Sequence, residues 1–520
     1  MFLEPIDLAI VIGYAFALIA IATLVSREKA GHKKTTEDYF LAGKALPWWA
    51  IGASLIAANI SAEQIIGMSG SGYAIGLAIA SYEWMAAITL VIVGKFFLPI
   101  FLKHRIYTMP QFLELRFGTS VKYVMSVFWL GLYTFVNLTT ILWLGATAIN
   151  TLTGAGMMLG MVLLAMFAAA YSLYGGLKAV ALTDIIQVTL LILGGALIAN
   201  ITLSQVGGGD AIAGFKRLMV EFPERFDMIL SRDNPQYKNL PGIGVLLGGM
   251  WIMNISYWGC NQYIIQRALG AKDIKEAQKG IMFAAFLKLI MPLIIVVPGI
   301  AAVVLAPDLA KPDQAYPEMM KLVPSGIRGL IFAALIAAIV SSLGSMMNSI
   351  STIFTMDLYR PMFGQQATER QLVRVGRITS LTAIAIAVLA ARPLLGGADQ
   401  VFQIIQEYTG FFTPGIVAIF ILGMFWKRGT EIGAIAAIIG SFALSLAFKI
   451  WLPEMPFMDR VGVVFLLCVG LGVTLSLLQR PARDDQVIDL AGISFKTGPG
   501  FNIGAVVVTA VLIFLYAFYW

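Results

Sequence analysis

Residues 48–74 read WWAIGASLIAANISAEQIIGMSGSGYA, an apolar segment whose centre is interrupted by polar and small residues. Its length suits a membrane-crossing helix, which needs about 20 apolar residues for a bilayer core of roughly 30 Å. The polar run Asn59–Gln64 and the Gly- and Ser-rich stretch 67–72 stand at its middle. We expect the helix to break there, because a broken helix exposes carbonyls and helix ends that coordinate ions and substrate. A kinked helix packed on its neighbours is the alternative.

The whole chain has the composition of a membrane protein. Of its 520 residues, 59% are hydrophobic and only 12% are charged, and the mean hydropathy is +0.84. A soluble chain carries roughly a quarter charged residues. We therefore predict an all-α polytopic membrane protein with about 14 transmembrane helices. Their approximate positions are 8–25, 48–74, 77–102, 123–149, 155–173, 180–205, 241–265, 280–306, 328–356, 375–396, 400–426, 432–452, 461–479 and 503–520.

The basic residues are concentrated in short loops on one side of this predicted bundle. The loops on the same side as the first one hold most of the 36 Lys and Arg residues. The positive-inside rule places these loops in the cytoplasm and, with an even number of helices, both termini outside. This pattern predicts a multi-pass protein of the plasma membrane, and it accounts for the net charge of +7 without a nucleic-acid partner.

Single polar or ionisable residues stand inside otherwise apolar segments. Glu83 lies in the third predicted helix, Lys288 in the eighth and Gln406 in the eleventh. Ionisable groups at mid-membrane are costly, so they normally face a cavity or a partner and mark function. The alternative is that Glu83 and Lys288 simply neutralise each other as a buried pair.

A polar stripe in the seventh predicted helix adds Asn254, Tyr257, Asn261 and Gln262. The hydroxyl groups of a neutral sugar both donate and accept hydrogen bonds, so they need this mixture of carboxylate, amide and ammonium groups. The apolar face of a sugar ring also favours an aromatic side chain, which Tyr257 or Phe402 could supply. The polar residues therefore predict a site for a neutral sugar at mid-membrane.

A cation site is suggested by the sequence Ala338-Ile339-Val340-Ser341-Ser342. Hard cations prefer hydroxyl and carbonyl oxygens, so the two serines and the carbonyls freed at the break could hold sodium. Serines that merely bond back to the carbonyls of their own helix are the alternative. Asp184, in the sixth predicted helix, is equally consistent with a second cation point, a gate or a salt-bridge anchor.

Two other classes of membrane protein are alternatives to a carrier. A membrane glycosyl or acyl transferase needs a cluster of acid/base or metal-binding groups, yet the only histidines, His32 and His104, lie in predicted cytoplasmic loops. The sequence therefore indicates a protein that is not an enzyme. A channel or passive facilitator differs by a flux that needs no sodium and never concentrates its substrate.

Several strings resemble the sodium/solute symporter family, and within it the bacterial sodium/galactose (sodium/glucose-type) cotransporters. They are FLAGKALPWWAIGASLIAANISAEQIIGMSGSGYAIGLAIASYEWM, YSLYGGLKAVALTDIIQ, NQYIIQRALGAK, AALIAAIVSSLGSMMNS and FQIIQEYTGFFTPGI. The likeness runs from about Thr36 to Trp426, and the same spacing of helices continues to Trp520.

The resemblance implies a five-helix inverted repeat flanked by extra helices, each repeat opening with a broken helix. The breaks are expected at Asn59–Gln64 and near Asn254–Tyr257. The implied organisation is an N-terminal extra helix and loop (1–47), a first repeat with an external loop (48–240), a second repeat (241–426) and three C-terminal extra helices (427–520).

The resemblance also implies roles for individual residues, and sodium as the coupling ion with no other cofactor. Sodium would be held by carbonyls of Ala57, Ile60 and Ala338 and hydroxyls of Ser341 and Ser342. Sugar hydroxyls would contact Asn59, Gln64, Glu83, Asn254, Lys288 and Gln406. Tyr257 would stack on the sugar as the inner gate, Met68, Tyr82 and Phe402 would close the outer side, and Asp184 would take part in cation coupling.

The function implied is a sodium-coupled symporter that imports a neutral monosaccharide of the galactose or glucose class by alternating access. A sodium symporter of the same fold for sialic acid, proline, pantothenate, iodide or a polyol is the alternative. The galactose-transporting pattern has a serine where this chain has Ala86, which puts the preferred sugar in question.

Overall fold

A computed structural model describes residues 3–26, 46–106, 108–174, 177–480 and 486–520, without the side chains of residues 19, 22–26, 171–174 and 177–184. Across these residues the regular structure is helical, and an isolated β-bridge pairs Leu46 with Ala271. This confirms the predicted all-α class.

A helix coincides with each predicted membrane span, and we number these helices in chain order, with a and b for the halves of a broken one. They are α1 (Pro5–Ser26), α2a (Trp48–Asn59), α2b (Glu63–Ala74), α3 (Leu77–Lys103), α4 (Thr119–Thr153), α5 (Met157–Tyr174), α6 (Leu177–Val206), α7a (Gly249–Ile255), α7b (Gln262–Leu269), α8 (Ile274–Leu305), α9 (Ile327–Met362), α10 (Glu369–Leu395), α11a (Val401–Thr409), α11b (Thr413–Phe425), α12 (Glu431–Trp451), α13 (Phe457–Leu477) and α14 (Pro499–Phe518).

Most of these helices are long and apolar enough to cross a membrane. In the part of the chain that the structure describes, nine single helices meet that condition, and the bent pairs α2 and α11 raise the number to 11. Helices α1 and α5 are represented by shorter apolar stretches, Pro5–Leu18 and Met157–Ala170. The multi-pass architecture is therefore clear, while the total of about 14 spans stays a prediction.

The broken helices decide the shape of the centre. Helix α2 bends by 62° between its halves, and Ile60 at the break has extended backbone, with φ −72° and ψ 93°. The break predicted near Asn254–Tyr257 is misplaced, because the helix continues as a π-helical turn through Ser256–Cys260. The extended residue is Asn261, with φ −87° and ψ 122°. Its side-chain oxygen accepts a hydrogen bond of 2.7 Å from the hydroxyl of Tyr133, which fixes the chain at that point.

Helix α11 contains a further break that the sequence reading missed. Its halves meet at a bend of 45° across residues 410–412. The signal was present in Gly410 and Pro414, since glycine and proline at this spacing are frequent where one helix ends and another begins. The bend directs α11a and α11b along different walls of the same central cavity.

Helix α8 is the long central element on which both halves of α2 pack. Small residues allow the close approach, as they do generally between helices in lipid. A Cβ added to Gly52 would lie 2.7 Å from the carbonyl oxygen of Gly280, and one added to Gly280 would lie 2.7 Å from the Cβ of Ile51. A Cβ added to Gly72 would lie 2.9 Å from the carbonyl oxygen of Val296. Both halves of α2 are therefore held against one continuous helix.

Burial separates a central bundle from a peripheral layer. In the most apolar window of α9, 83% of residues are buried within the protein, against 33% in α12 and α13 and 22% in α14. The exposed side chains of these last helices are large and apolar, as surfaces facing lipid are. This arrangement is compatible with the predicted C-terminal group 427–520, and the four predicted domain boundaries stay predictions.

Candidate functional site

A cavity lies at the breaks of α2 and α11 and is completed by α3, α4 and the α7 region. It brings together side chains that are far apart in the sequence. Of the residues predicted to contact sugar or to form gates, those in its wall are Asn59, Gln64, Met68, Tyr82, Glu83, Asn254, Tyr257, Phe402 and Gln406, and Ala86 also lines it.

Lys288 lies behind this wall and reaches the cavity through two of its residues. The side chain is fully buried, and its Nζ donates a hydrogen bond of 2.6 Å to Glu83 Oε2 and another to Asn59 Oδ1. The ammonium group also lies 5.1 Å from the ring centroid of Trp258, within the range of a cation–π contact. The ion pair that was the alternative reading of Glu83 and Lys288 is present, and Glu83 faces the cavity as well.

Asn59 links this ion pair to Tyr257. Its Oδ1 accepts from Lys288, while its Nδ2 donates to the Tyr257 hydroxyl over 3.1 Å. That hydroxyl also accepts a hydrogen bond of 2.9 Å from the hydroxyl of Tyr263. A continuous polar network therefore joins the break of α2 to the region between α7a and α7b. Tyr257 itself is half-buried, with its ring against the cavity.

The side chains predicted to close the outer end of the cavity meet in apolar contacts. The rings of Tyr82 and Phe402 meet edge to face, with centroids 5.0 Å apart and an angle of 85°. Met68 and Phe402 are each 1% exposed, so this end excludes water. The Tyr82 hydroxyl is buried and has no hydrogen-bond partner among the described residues. We call Met68, Tyr82 and Phe402 the Phe402 gate.

The residues predicted to hold sodium come from two neighbouring helices. Ala57 and Ile60 stand at the end of α2a, and α9, which carries Ala338 and both serines, packs against α2a. Ser342 is 4% exposed, and within the described part of the chain its hydroxyl has no hydrogen-bond partner. Ser342 therefore does not follow the alternative in which both serines bond back to their own helix.

The chemistry of this region fits a hard monovalent ion better than a transition metal. No group of three or more His, Cys, Asp or Glu side chains that could hold a metal occurs among the residues described. Hydroxyl and carbonyl oxygens are ligands for hard cations. The predicted residue Asp184 lies outside the residues whose side chains are described, so its three possible roles stay as stated.

The sequence reading missed several residues of the wall, of which Glu63 is the most important. Its side chain is 7% exposed, hydrogen-bonds with the side chain of Asn137 and has no ion-pair partner in the described structure. Its Oε1 is buried without any partner there. Glu63 stood in the polar run that predicted the break, but nothing in the sequence showed that it faces the cavity. Trp129 and Asn137 of α4 also line the cavity, although they were not among the predicted site residues.

The broken helices around a buried polar cavity define a class of membrane carrier, and a family comparison identifies it. Residues 39–440 match the Sodium:solute symporter family, and this chain belongs to that family. The resemblance drawn from the sequence is confirmed. The protein is thus a transporter and not a membrane enzyme.

Individual relatives cover all or most of the chain. It is 50% identical to a sodium/glucose cotransporter of Vibrio parahaemolyticus over 100% of this chain and 99% of the relative. A sodium/myo-inositol cotransporter of Canis lupus familiaris is 35% identical over 87% of this chain and 68% of that protein. Among solved structures, a Na+-coupled sialic acid symporter in a substrate-bound outward-open state matches with a TM-score of 0.78 and 26% identity, covering 93% and 100% of the two chains. The nucleobase-cation-symport-1 family transporter Mhp1, at 13% identity and a TM-score of 0.55 over 86% of this chain and 96% of its own, shares the fold.

Proposed function

We propose that this protein is a sodium-coupled symporter that imports a neutral monosaccharide of the galactose or glucose class by alternating access. The observation that carries the proposal is the wall of the cavity. It combines one carboxylate whose charge is balanced by Lys288 with several amides and the Tyr257 ring. We place the protein in a bacterial plasma membrane with both termini outside, because the basic loops lie on the opposite side.

The charge of the cavity favours a neutral substrate. Glu83 and Lys288 cancel, so this pair offers no net positive charge to an anion. Glu63 adds a further carboxyl group with no basic partner among the described residues. Like charges disfavour binding in a site of low dielectric constant. Sialic acid, pantothenate and iodide are therefore poorer candidates than a sugar.

A polyol is the stronger alternative, and two observations support it. Some relatives are named myo-inositol cotransporters, and myo-inositol is a ring of hydroxyl groups that needs the same donors and acceptors as a sugar. In addition, Ala86 lines the cavity without a hydroxyl, next to the turn that carries Glu83. A missing neutral hydrogen bond changes affinity by about 0.5–1.5 kcal/mol, which is enough to alter preference among sugars.

Sodium would act by joining the break of α2 to α9. Bound between carbonyls of Ala57, Ile60 and Ala338 and the hydroxyls of Ser341 and Ser342, it would hold α2a in the position that presents Asn59 to the sugar. Each sodium ion that enters down an inside-negative potential contributes about 2.3 kcal/mol per 100 mV. Coupling is reciprocal, so sugar should raise sodium affinity by the factor that sodium raises sugar affinity.

The proposal is tested by uptake into proteoliposomes with an imposed sodium gradient, across monosaccharides and myo-inositol. We expect accumulation of an unchanged hexose that stops when choline replaces sodium. Preferential accumulation of myo-inositol would favour the polyol, and uptake that is equal in choline would contradict the proposal.

The cation site is tested separately by Ser342→Ala, with Ser349→Ala as the matched control. Ser349 lies on the same helix, and its hydroxyl bonds back to the carbonyl of Ser345 over 3.1 Å, so its removal should leave sodium activation unchanged. We expect Ser342→Ala to lose sodium-dependent uptake while keeping a folded protein by size-exclusion chromatography. Sodium stimulation equal to wild type in Ser342→Ala would count against this site.

A further inference from the structure

Asp313 lies in the connection between α8 and α9, where Pro312–Gln314 form a short 3-10 turn. Although it stands outside the membrane-spanning helices, its side chain is only 2% exposed. Its Oδ2 accepts a hydrogen bond of 3.1 Å from the backbone N–H of Val401, the first residue of α11a. Its Oδ1 has no partner in the described part of the protein. A buried carboxyl group with one backbone contact is unusual enough to require an explanation.

The same residue also contacts α2b. A Cβ added to Gly70 would lie 2.6 Å from Asp313 Oδ1 and 2.7 Å from its Cα, so only a glycine permits this approach. Gly70 stands two residues after Met68, and Val401 stands directly before Phe402. Asp313 therefore touches both of the chain segments that bring Met68 and Phe402 to the cavity.

A neighbouring lysine ties the same turn to the loop before α11a. Lys311 Nζ donates hydrogen bonds of 3.0 Å to the carbonyl oxygens of Gly396 and Ala398. The turn is thus joined to the loop by Lys311 and to the start of α11a by Asp313. For the Phe402 gate to separate, α11a must move relative to α2b, and that movement must break or carry along the Asp313 contact.

We propose that Asp313 is a positioning residue of the Phe402 gate: its carboxyl group holds the start of α11a against α2b, and its release into water is a step in opening the cavity to the outside. The inference deepens the proposed transport function and rests on it for the meaning of the gate. The contact geometry itself is independent of which solute is carried.

Charge explains why such a contact can respond to conditions outside the cell. Burial raises the pKa of Asp313 to about 7, while the Val401 N–H and Lys311 act against the rise and Asp399 adds to it. Of the elements packed on the turn, α2b carries Glu63 at its first residue, whereas its Ser69–Ala74 part and the Thr139–Thr153 part of α4 carry no charged residue. On the adjacent helix Ala315–Met320, Glu318 is paired with Lys321 at 2.6 Å.

The sign of the pH effect follows from linkage. In the closed gate Asp313 binds its proton up to about pH 7, whereas in contact with water an aspartate releases it near pH 4. Between these values the closed state binds more protons than the open state, so falling pH favours closure and rising pH favours opening. From pH 7.5 to 5.5 the ratio of closed to open gates should rise on the order of tenfold.

The test measures access to the cavity directly. A cysteine introduced by Thr409→Cys, in the cavity wall, is labelled from outside by a membrane-impermeant maleimide on the purified, reconstituted protein. The native Cys260 and Cys468 are buried, and the protein without Thr409→Cys gives the background labelling. The Thr409→Cys protein is the parent of the variants below, and we expect its labelling to slow on the order of tenfold from pH 7.5 to 5.5.

Three further variants decide the outcome. Asp313→Asn keeps an acceptor for Val401 but cannot ionise, so it should label slowly at every pH. Asp313→Ala removes the acceptor and should label faster than the parent at every pH. Asp308→Asn, an exposed acid in the same connection, should keep the parent's pH profile.

An Asp313→Asn variant that retains the parent's pH profile, or an Asp313→Ala variant that labels at the parent's rate, would overturn the inference. Thermal unfolding of each variant shows that the protein is folded. Labelling needs neither sodium nor sugar. A failure of sodium-driven uptake would therefore contradict the proposed function, while the labelling rates would still decide the role of Asp313.

Discussion

The two predicted gates of the cavity are held by opposite kinds of contact. At the Phe402 gate, aromatic rings and a methionine exclude water without hydrogen bonds between the gate side chains in the described structure. At the Tyr257 end, the closing side chain is held by hydrogen bonds from Asn59 and Tyr263. Water can replace hydrogen bonds at a net cost of only about 0.5–1.5 kcal/mol each, but it cannot replace buried apolar contact. The first end is therefore suited to stay shut until a helix moves, and the second to open by exchange of partners.

The largest expected effect comes from the charge that anchors the hydrogen-bonded end. Lys288→Ala leaves Glu83 as a buried carboxylate without its partner, and breaking such a pair costs about 3–5 kcal/mol. It also frees Asn59, which positions Tyr257. We expect loss of sugar uptake together with a lower unfolding temperature.

Two controls separate these effects. Lys279→Ala removes an exposed lysine of the same helix and should be neutral. The double variant Lys288→Met with Glu83→Gln should recover stability, because no charge is left buried, and still fail to transport. Wild-type sugar affinity in Lys288→Ala would show that the pair has only a structural role.

The next effect concerns the dry end. Phe402→Ala removes a fully buried ring, and truncations of this kind cost about 3–5 kcal/mol of stability. We expect the cavity to become accessible from outside at all times, so that sugar gradients collapse although sodium still binds. Counterflow and maleimide labelling of the cavity measure this. Phe402→Leu keeps most of the apolar volume, so its sugar gradient and labelling rate should be close to those of wild type. Equal labelling rates in Phe402→Ala and Phe402→Leu would contradict the assignment of this gate.

The smallest effect is expected at the other end. Tyr257→Phe keeps the ring but loses the hydroxyl that joins Asn59 and Tyr263, a change of about 1–3 kcal/mol for two neutral hydrogen bonds. Sugar affinity should change only a few-fold, while release from that end becomes faster in efflux experiments. Tyr263→Phe removes only one of the two hydrogen bonds, so its efflux rate should lie between those of Tyr257→Phe and wild type. An unchanged efflux rate in Tyr257→Phe would remove the distinction between the two ends.

The sequence predicted features that depend on the high free-energy cost of placing polar residues in the membrane. The polar run Asn59–Gln64 predicted the break of α2, because such residues are rare at mid-membrane unless they serve a cavity. The break after α7a was misplaced because its polar stripe offered Asn254 and Asn261 as equal candidates. Only the contact between Asn261 and Tyr133, made across 128 residues of chain, selects the second.

Other features could not be predicted, since they depend on which surfaces meet. Within the described residues the Ser342 hydroxyl has no partner, and the sequence could not predict this, since any serine can bond back to its own helix. Lys288 was expected to touch the ligand, yet it stands one layer behind Glu83 and Asn59. Glu63 was known only as part of a break, because the direction of a side chain after an unwound turn is set by the tertiary packing.

The glycine-rich seam along α8 has a further consequence for how ion and solute occupancy are coordinated. Close contacts at Gly52, Gly280 and Gly72 hold both halves of α2 against α8, so the kink in α2 cannot bend independently of α8. The residues at the end of α2a and the ammonium group of α8 then belong to a single stiff body. With sodium and sugar at the proposed sites, cooperativity between them needs no relay through the rest of the protein, because both would contact the same rigid unit of α2 and α8.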